Sequence, residues 1–404
     1  MKDEGRFKNI LFCGIAGILI FSPIARGATR IWAIAPVLII EFALIFLWLT
    51  RCNSKGQRLE RTALDKPIFA FVLLAIISFP FSIYKHDSFF ALLRLSGYIG
   101  IYYLVVNNFD QMMRRRLLGL AIFIGAGLSV YGFLQYFGDL NHSWWAPKEF
   151  LAATYVNHNH FAGYLELVIP VTIGMLFSRS LRSFGYRLLI VAALIIMLTV
   201  FIFAQSRGGW ISLAISLLIM NIVLIKQGRL NKKSLFTFLF ILGLIFSFFY
   251  FNREEVSQRI GTVTDTSDAS LQTRLQIWQA ALKITWDNPL IGTGIGTFDY
   301  SFYQYRPEGF DARAVYADNE YLQMAAEMGI LAPLIMLWMF TSVISTGLKK
   351  RHFSPRSLGC VIGVLSLVLH GLTDFNFHIP ANMLLFSVYV GLIMAPARED
   401  ISSV

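Results

Sequence analysis

Long apolar runs recur along the whole 404-residue chain and are separated by polar segments. A helix of roughly 20 apolar residues crosses a hydrocarbon core about 30 Å thick. The runs lack the alternation at every second residue that the strands of an outer-membrane barrel show. We therefore predict an all-α polytopic integral membrane protein of about twelve transmembrane helices, at 9–22, 31–50, 67–84, 89–107, 117–137, 161–177, 188–204, 210–225, 235–251, 329–346, 357–372 and 382–396.

The composition agrees with this fold class. Hydrophobic residues make up 56% of the chain and charged residues only 15%, whereas a soluble globular protein carries roughly 25% charged residues. A soluble enzyme, a coiled coil and a disordered chain are therefore excluded. The net charge of +11 does not indicate a nucleic-acid partner, because no basic tract with interleaved aromatic residues stands outside the membrane loops.

The distribution of the basic residues predicts the orientation. With the N-terminus inside, 23 of the 35 Lys and Arg residues fall in inner loops and only 5 in the short outer loops. Cytoplasmic loops carry such an excess, so both termini are expected in the cytoplasm. Six of the seven histidines lie on or near the outer face, which indicates that any chemistry takes place outside the cytoplasm.

One outer segment is far longer than a connection requires. It contains helical patterns and a glycine turn rather than low-complexity sequence, so we predict a folded loop. The chain then divides into N-terminal transmembrane helices (1–156), central transmembrane helices (157–251), the outer loop (252–328) and C-terminal transmembrane helices (329–404).

Two arginines are candidates for anion binding. Arg207 lies in SRGGW (206–210) at the outer boundary, where two glycines allow a tight turn. A guanidinium group binds phosphate oxygens bidentately, although an arginine that snorkels to the interface is the alternative. Arg274 lies in the apolar arc of a predicted helix, where a charge is costly unless paired; we expect it to meet an acid or an anion, and a structural salt bridge remains open. The apolar stripe of that helix consists of Leu271, Leu275, Trp278 and Leu282.

A glycine-rich segment and an acidic residue follow. The segment NPLIGTGIGTF (288–298) superficially resembles a nucleotide-binding loop, but no strand precedes it. A structural turn is favoured, although its N–H groups are able to face an anion.

Asp318 is placed as the N-cap of a helix, with Glu320 in the first turn. The alternative role of Asp318 is a general base toward a sugar hydroxyl.

Two polar clusters stand at the mouths of predicted spans. Their side chains are candidates for binding sugar hydroxyls or a metal ion. The alternative is that these polar residues only mark the ends of helices at the membrane interface. They comprise Asn157, His158, Asn159 and His160, and His370, Asp374, Asn376 and His378. The first two histidines point to different faces of a helix and the chain has no Asp-x-Asp, so no metal is predicted. Inside the spans, Glu41 and Arg94 are expected to pair with each other.

Five segments together resemble the O-antigen ligase and Wzy-type O-antigen polymerase superfamily, the bacterial lipid-linked polysaccharide transferases. They are NHNHFAGYL (157–165), SRGGW (206–210), RLQIWQAA (274–281) with NPLIGTGIGTF, DNEYLQMAAEMGI (318–330) and HGLTDFNFHIPAN (370–382). The resemblance implies a fold of the polytopic lipid-donor glycosyltransferase type in the bacterial inner membrane, with a periplasmic active site. It implies a glycan donor on undecaprenyl diphosphate, an acceptor sugar hydroxyl and a metal-independent reaction without a cofactor.

The resemblance also implies roles for individual residues. By position, Arg207 and Arg274 clamp the diphosphate, and Asp318 stands where the ligases usually carry a catalytic histidine. His158 and His378 are the alternative bases. The implied substrate-binding residues are His158, Asn159, His160, Asn319, His370, Asp374 and His378.

Two questions stay open at this point. The acceptor glycan is lipid A–core for a ligase or a growing lipid-linked chain for a polymerase, and a separate chain-length regulator remains a further candidate partner. The alternative from another class is a transporter of a small solute or anion. A transporter places polar residues along a path through the membrane, whereas the polar clusters here crowd the outer face, which favours a transferase.

Overall fold

The computed structural model describes residues 2–56, 58–138, 150–178, 183–226, 228, 269–311, 313–349 and 354–396. These residues form helices and connecting turns, with no strand among them. The α-helices are α1 (Lys2–Ile24), α2 (Ile31–Lys55), α3 (Asp65–Ser78), α4 (Lys85–Asn108), α5 (Gln111–Phe137), α6 (His158–Leu176), α7 (Phe184–Phe203), α8 (Arg207–Lys226), α9 (Ala269–Asp287), α10 (Phe298–Tyr305), α11 (Glu320–Met328), α12 (Leu331–Lys349), α13 (Pro355–His370) and α14 (Pro380–Met394).

Each predicted span that the structure describes contains an α-helix, although the span 67–84 is shorter than predicted, since α3 ends at Ser78 and a single 3-10 turn (Phe79–Phe81) follows. Among the described helices, seven are long and apolar enough to cross a membrane, namely α1, α2, α4, α5, α7, α8 and α12. The shorter helices α13 and α14 are also apolar. The predicted span 235–251 and the first part of the long loop, 252–268, lie outside the described residues.

Helix α6 is the centre of the bundle. It packs against α5, α7, α8, α13 and α14, and its residues from His160 to Met175 are all buried. Its closest neighbour is α13, because a Cβ atom on Gly363 would lie 2.7 Å from the carbonyl oxygen of Leu167. Small residues permit this backbone approach between membrane helices. The N-terminus of α6, with its two histidines, is thereby held at the centre of one end of the bundle.

The helices of the long loop build a separate small core. Helix α9 packs on α10 and α11 through a buried face that consists of Ile277, Ala280, Ala281 and Ile284. The apolar stripe predicted from the sequence is not this buried face, since Leu275 and Leu282 are 45% and 55% exposed. The large leucines suggested the stripe, but the alanines form the buried face because their small side chains fit against the neighbouring loop helices.

The glycine-rich segment is a structural turn, as the sequence favoured. The anion that its N–H groups face is a carboxylate of the same chain. The Glu327 carboxylate accepts the backbone N–H of Gly296 at 2.6 Å and that of Phe298 at 3.2 Å. Gly292 has φ 69°, and a Cβ atom there would lie 2.2 Å from the backbone of Glu327. The segment is thus fastened to the end of α11.

The expected pairing of Glu41 with Arg94 is wrong. Glu41 is fully buried, and neither carboxylate oxygen has a hydrogen-bond partner in the described part of the chain. The carboxylate packs onto Gly97, where a Cβ atom would clash with it. Arg94 instead extends into a cleft bordered by α3, α4, α11, α12 and α14.

Candidate active site

Several loops meet at one end of the bundle. The hydroxyl of Thr154, before α6, donates to the carbonyl of Pro23 at the end of α1, at 2.6 Å. The N–H of Glu320 donates to the carbonyl of Gly371, after α13, at 2.8 Å. These contacts bring together segments far apart in sequence, and nearly all predicted site residues lie among them.

A polar pocket opens between these loops. Its lining residues are His158, Asn159, Gln205, Arg207, Gly208, Arg274, His370, Thr373 and Asp374. The structure therefore brings both predicted arginines, from α8 and α9, to one pocket together with four of the predicted substrate-binding residues. Asn319, His160 and His378 do not line it.

Arg207 is positioned by a helix start. It opens α8, and Ser206 caps that helix by accepting the N–H of Gly209 at 3.3 Å. The tight turn expected at the two glycines is instead at Gln205, with φ 52°, and both glycines lie in the first turn of α8. Neighbouring groups leave no space for a side chain at these positions: a Cβ atom on Gly208 would lie 2.4 Å from the hydroxyl of Thr373.

We expect Gly208→Ala to lower transfer activity, because the added methyl group pushes Thr373 and the neighbouring His370 out of the pocket wall. Overpacking of this kind typically costs about 1–3 kcal/mol. Turnover and melting temperature measure the two effects. Gly119→Ala in α5 is the matched control, because a Cβ atom there meets nothing within 4 Å. Equal turnover for the two variants would contradict the packing argument.

His370 is oriented by a buried carboxylate. Its Nδ1 lies 2.7 Å from Glu166 Oε1, and Glu166 Oε2 accepts the hydroxyl of Ser366 at 2.8 Å. The other ring nitrogen, Nε2, lies 3.4 Å from the hydroxyl of Ser206. Sequence reasoning missed Glu166 as a site residue; the available signal was a carboxylate inside an apolar span, which needs a partner.

Glu166→Gln is expected to lower the melting temperature and to weaken activity. The side chain keeps its size, but the buried histidine loses its charged partner, and removing one member of a buried pair typically costs about 3–5 kcal/mol. Glu308→Gln is the control, since Glu308 is exposed. An unchanged melting temperature in Glu166→Gln would show that the pair contributes nothing to folding.

Asp318 meets Arg274 rather than capping a helix. Arg274 Nε lies 3.7 Å from Asp318 Oδ2, which confirms that Arg274 pairs with an acid. The predicted N-cap role of Asp318 is wrong: Asn319 Oδ1 accepts the N–H groups of Tyr321 and Leu322, both at 3.0 Å. Both Asp and Asn are good N-caps, and the helix uses the second of them.

The environment of Asp318 changes its acidity. Burial and, to a smaller extent, the Asp374 carboxylate raise the pKa of its carboxyl group to about 6, against the opposing effect of the Arg274 guanidinium. Asp318 also has φ 49°, a left-handed conformation that is uncommon for a residue other than glycine and is typical of functional sites. The strained residue is therefore the one whose carboxylate contacts Arg274.

The remaining polar residues are placed by specific contacts. His158 Nδ1 donates to the carbonyl of Ala204 at 2.5 Å, so Nε2 holds the lone pair in the neutral ring. His160 is buried, with Nε2 3.5 Å from Asp374 Oδ1. His378 faces Glu320, with Nδ1 3.0 Å from Oε2, and lies on the cleft that contains Arg94.

The pocket suits an anion with several oxygens. Two guanidinium groups from different helices converge on it, and His370 and Thr373 add groups able to form hydrogen bonds. In the described part of the chain, no group of three or more His, Cys, Asp or Glu residues is arranged to hold a metal ion. The chemistry supplied by the chain is positive charge beside a carboxylate of raised pKa.

The fold and this pocket define a helical polytopic membrane protein with an arginine-bearing site at one end of its bundle. Residues 192–337 match the family model described as O-antigen ligase. The match supports the resemblance of the motifs to the O-antigen ligase superfamily. The match includes Arg207, Arg274 and Asp318. No curated protein matches the chain.

Proposed function

We propose that the protein transfers a glycan from undecaprenyl diphosphate to a sugar hydroxyl of an acceptor at the periplasmic face of the bacterial inner membrane. One observation carries this proposal: Arg207 and Arg274, from two separate helices, line one polar pocket, and Arg274 also contacts Asp318. Both arginines and the aspartate belong to the matched O-antigen ligase domain.

The arginines bind the diphosphate of the donor. A guanidinium group forms paired, charge-assisted hydrogen bonds with phosphate oxygens. When the bond between the anomeric carbon and the diphosphate breaks, the leaving oxygen gains negative charge, and donors already in place stabilise that charge. We propose a metal-independent transfer, with the two side chains supplying the positive charge.

Asp318 acts as the base toward the acceptor. The acceptor hydroxyl oxygen forms a bond to the anomeric carbon, and its proton passes to the carboxylate. A pKa of about 6 leaves Asp318 ionised near neutral pH and close to the range where a general base is most effective. Arg274 holds the carboxylate in place until the acceptor arrives.

The sidedness follows from the charges at the opposite end of the bundle. Arg51 pairs with Asp3 at 3.1 Å, and Arg114 Nη1 donates to the carbonyl of Pro396 at 3.1 Å. These residues lie at the end of the helices away from the polar pocket, where the basic loops cluster. Since basic loops stay in the cytoplasm, we propose that the pocket and the loop helices α9, α10 and α11 face the periplasm.

Reconstitution tests this proposal. The purified protein is incubated with a short glycan on undecaprenyl diphosphate, with and without lipid A–core, and the products are read by mass. Glycan joined to the core identifies a ligase, and a lengthened lipid-linked glycan identifies a polymerase. Absence of both products with an authentic donor would contradict the transferase proposal, and solute flux in proteoliposomes would then test the transporter alternative.

A further inference from the structure

A second, larger opening lies beside the polar pocket, between α3, α4, α11, α12 and α14. It has about 1570 Å³ of space, including its open mouth. Most of its wall is apolar, formed among others by Ile68, Leu95, Ile99, Met336, Phe340 and Phe386. We call this opening the Arg94 cleft, because Arg94 of α4 lies in its lining.

The carboxylates that line the Arg94 cleft are already satisfied. Glu320 Oε1 accepts the N–H of Phe377 at 2.5 Å, and its other oxygen faces His378. Glu327 is held by the glycine-rich segment. Asp299 forms an ion pair with Arg313, and Asp87 contacts His86 at 2.8 Å and accepts the hydroxyl of Tyr300 at 3.2 Å.

Arg94 differs from these groups. It is half-buried, and it makes neither a hydrogen bond nor an ion pair with any described residue. It lies nine residues after the start of α4 at Lys85, or about 13 Å along the helix axis. Helix α4 is one of the candidate membrane spans, and a charged side chain at such a depth is costly unless it has a partner or faces a polar cavity. An anion that pairs with the Arg94 guanidinium would therefore have to bind in the cleft.

The Arg94 cleft and the polar pocket meet along one short strip of chain. Tyr316 and Glu320 line the cleft, whereas Asp318, between them, contacts the pocket residue Arg274. Tyr316 stacks on Phe375 with ring centroids 4.3 Å apart, and the neighbouring Asp374 lines the pocket. The candidate base therefore stands on the partition between two openings of different chemistry.

We propose that the Arg94 cleft binds the acceptor as a phosphate-bearing lipid, with its phosphate on Arg94 and its tails against the apolar wall. The acceptor assignment rests on the proposed function, and both acceptors under consideration, lipid A–core and a growing lipid-linked chain, are phosphate-bearing lipids. The donor diphosphate occupies the polar pocket on one side of Asp318. The acceptor hydroxyl reaches the anomeric carbon from the other side, gives its proton to Asp318, and displaces the diphosphate.

Lipid binding tests the site independently of catalysis. Native mass spectrometry of the purified protein with lipid A, and separately with phosphatidylcholine, measures retention of each lipid. We expect Arg94→Gln to weaken lipid A binding at least tenfold and to leave phosphatidylcholine unchanged. Arg94→Lys is expected to keep much of the binding, and Arg30→Gln, the same change at an exposed position, to keep all of it. Equal lipid A retention by Arg94→Gln and the unchanged protein would overturn the proposal.

Steady-state transfer tests the assignment to the acceptor. Arg94→Gln is expected to raise the KM for the acceptor at least tenfold while the KM for the donor stays the same. A raised KM for the donor alone would place the donor lipid in the cleft and overturn the assignment. Arg94-dependent binding of lipid A by a protein that transfers no glycan would support the lipid site and contradict the proposed function, so the two failures are distinguishable. A melting temperature for each variant excludes misfolding as the cause.

Discussion

Arg207→Ala and Arg274→Ala are each expected to lower turnover by about 10²- to 10³-fold or more, as the loss of one preorganised charge-stabilising group does in other enzymes. Both guanidinium groups line the pocket assigned to the diphosphate, so each variant leaves one developing charge without a partner. Turnover at saturating acceptor, measured from the mass of the transferred glycan, gives the effect. The protein should remain folded and inserted in the membrane.

Two further variants separate this effect from a general loss of charge. Arg306→Ala removes an exposed cation of the same loop, whose guanidinium group lies over the Tyr303 ring, and its turnover should stay near that of the unchanged protein. Arg207→Lys keeps the charge but loses the planar fork that binds two oxygens, so an intermediate rate is expected. Full product from both alanine variants would contradict the diphosphate clamp.

Asp318→Asn is expected to lower the rate by about 10²- to 10⁴-fold, the usual contribution of a general base. In the unchanged protein the pKa of Asp318 is raised to about 6 by burial and by Asp374, against the influence of Arg274. The carboxylate must be ionised to accept a proton, so transfer should rise as the pH increases from 5 to 7, with a midpoint near 6. The residual rate of Asp318→Asn should lack this rise.

Asp318→His serves as the companion variant, because the superfamily's ligases usually carry histidine at this position. An imidazole with an ordinary pKa near 6.5 is also able to accept the proton, so this variant should recover part of the activity that Asp318→Asn loses. If Asp318→Asn transfers glycan at the full rate, Asp318 is not the base, and His158, whose Nδ1 donates to Ala204, becomes the next candidate.

The helices were predictable from the sequence because apolar length alone decides a membrane span. Each predicted segment that the structure describes contains an α-helix. The exposed and buried faces of α9 were harder, since they depend on which neighbour the helix packs against. Ala280 and Ala281 face the loop core, while the larger Leu282 is exposed, and hydrophobicity alone ranks these residues the other way.

The types of residue that form the site were predictable from the sequence, but which side chains contact each other was less so. The position of Arg274 in an apolar arc indicated that it meets an acid, but its partner Asp318 is 44 positions away in the sequence, and a helical pattern carries no information at that range. A one-residue choice between two capping residues, Asp318 and Asn319, also depends on the surrounding loops. Opposite charges suggested that Glu41 pairs with Arg94, yet Glu41 packs against Gly97.

The contact between the glycine-rich segment and Glu327 of α11 bears on whether the site is assembled before the substrate binds. A loop whose counterion belongs to the same chain completes these contacts without a substrate, and α9, α10 and α11 share one buried core. Arg274 on α9 and Asp318 just ahead of α11 are therefore set against each other in advance. Little conformational entropy is then lost when a substrate binds, and such preorganisation lowers the cost of reaching the transition state.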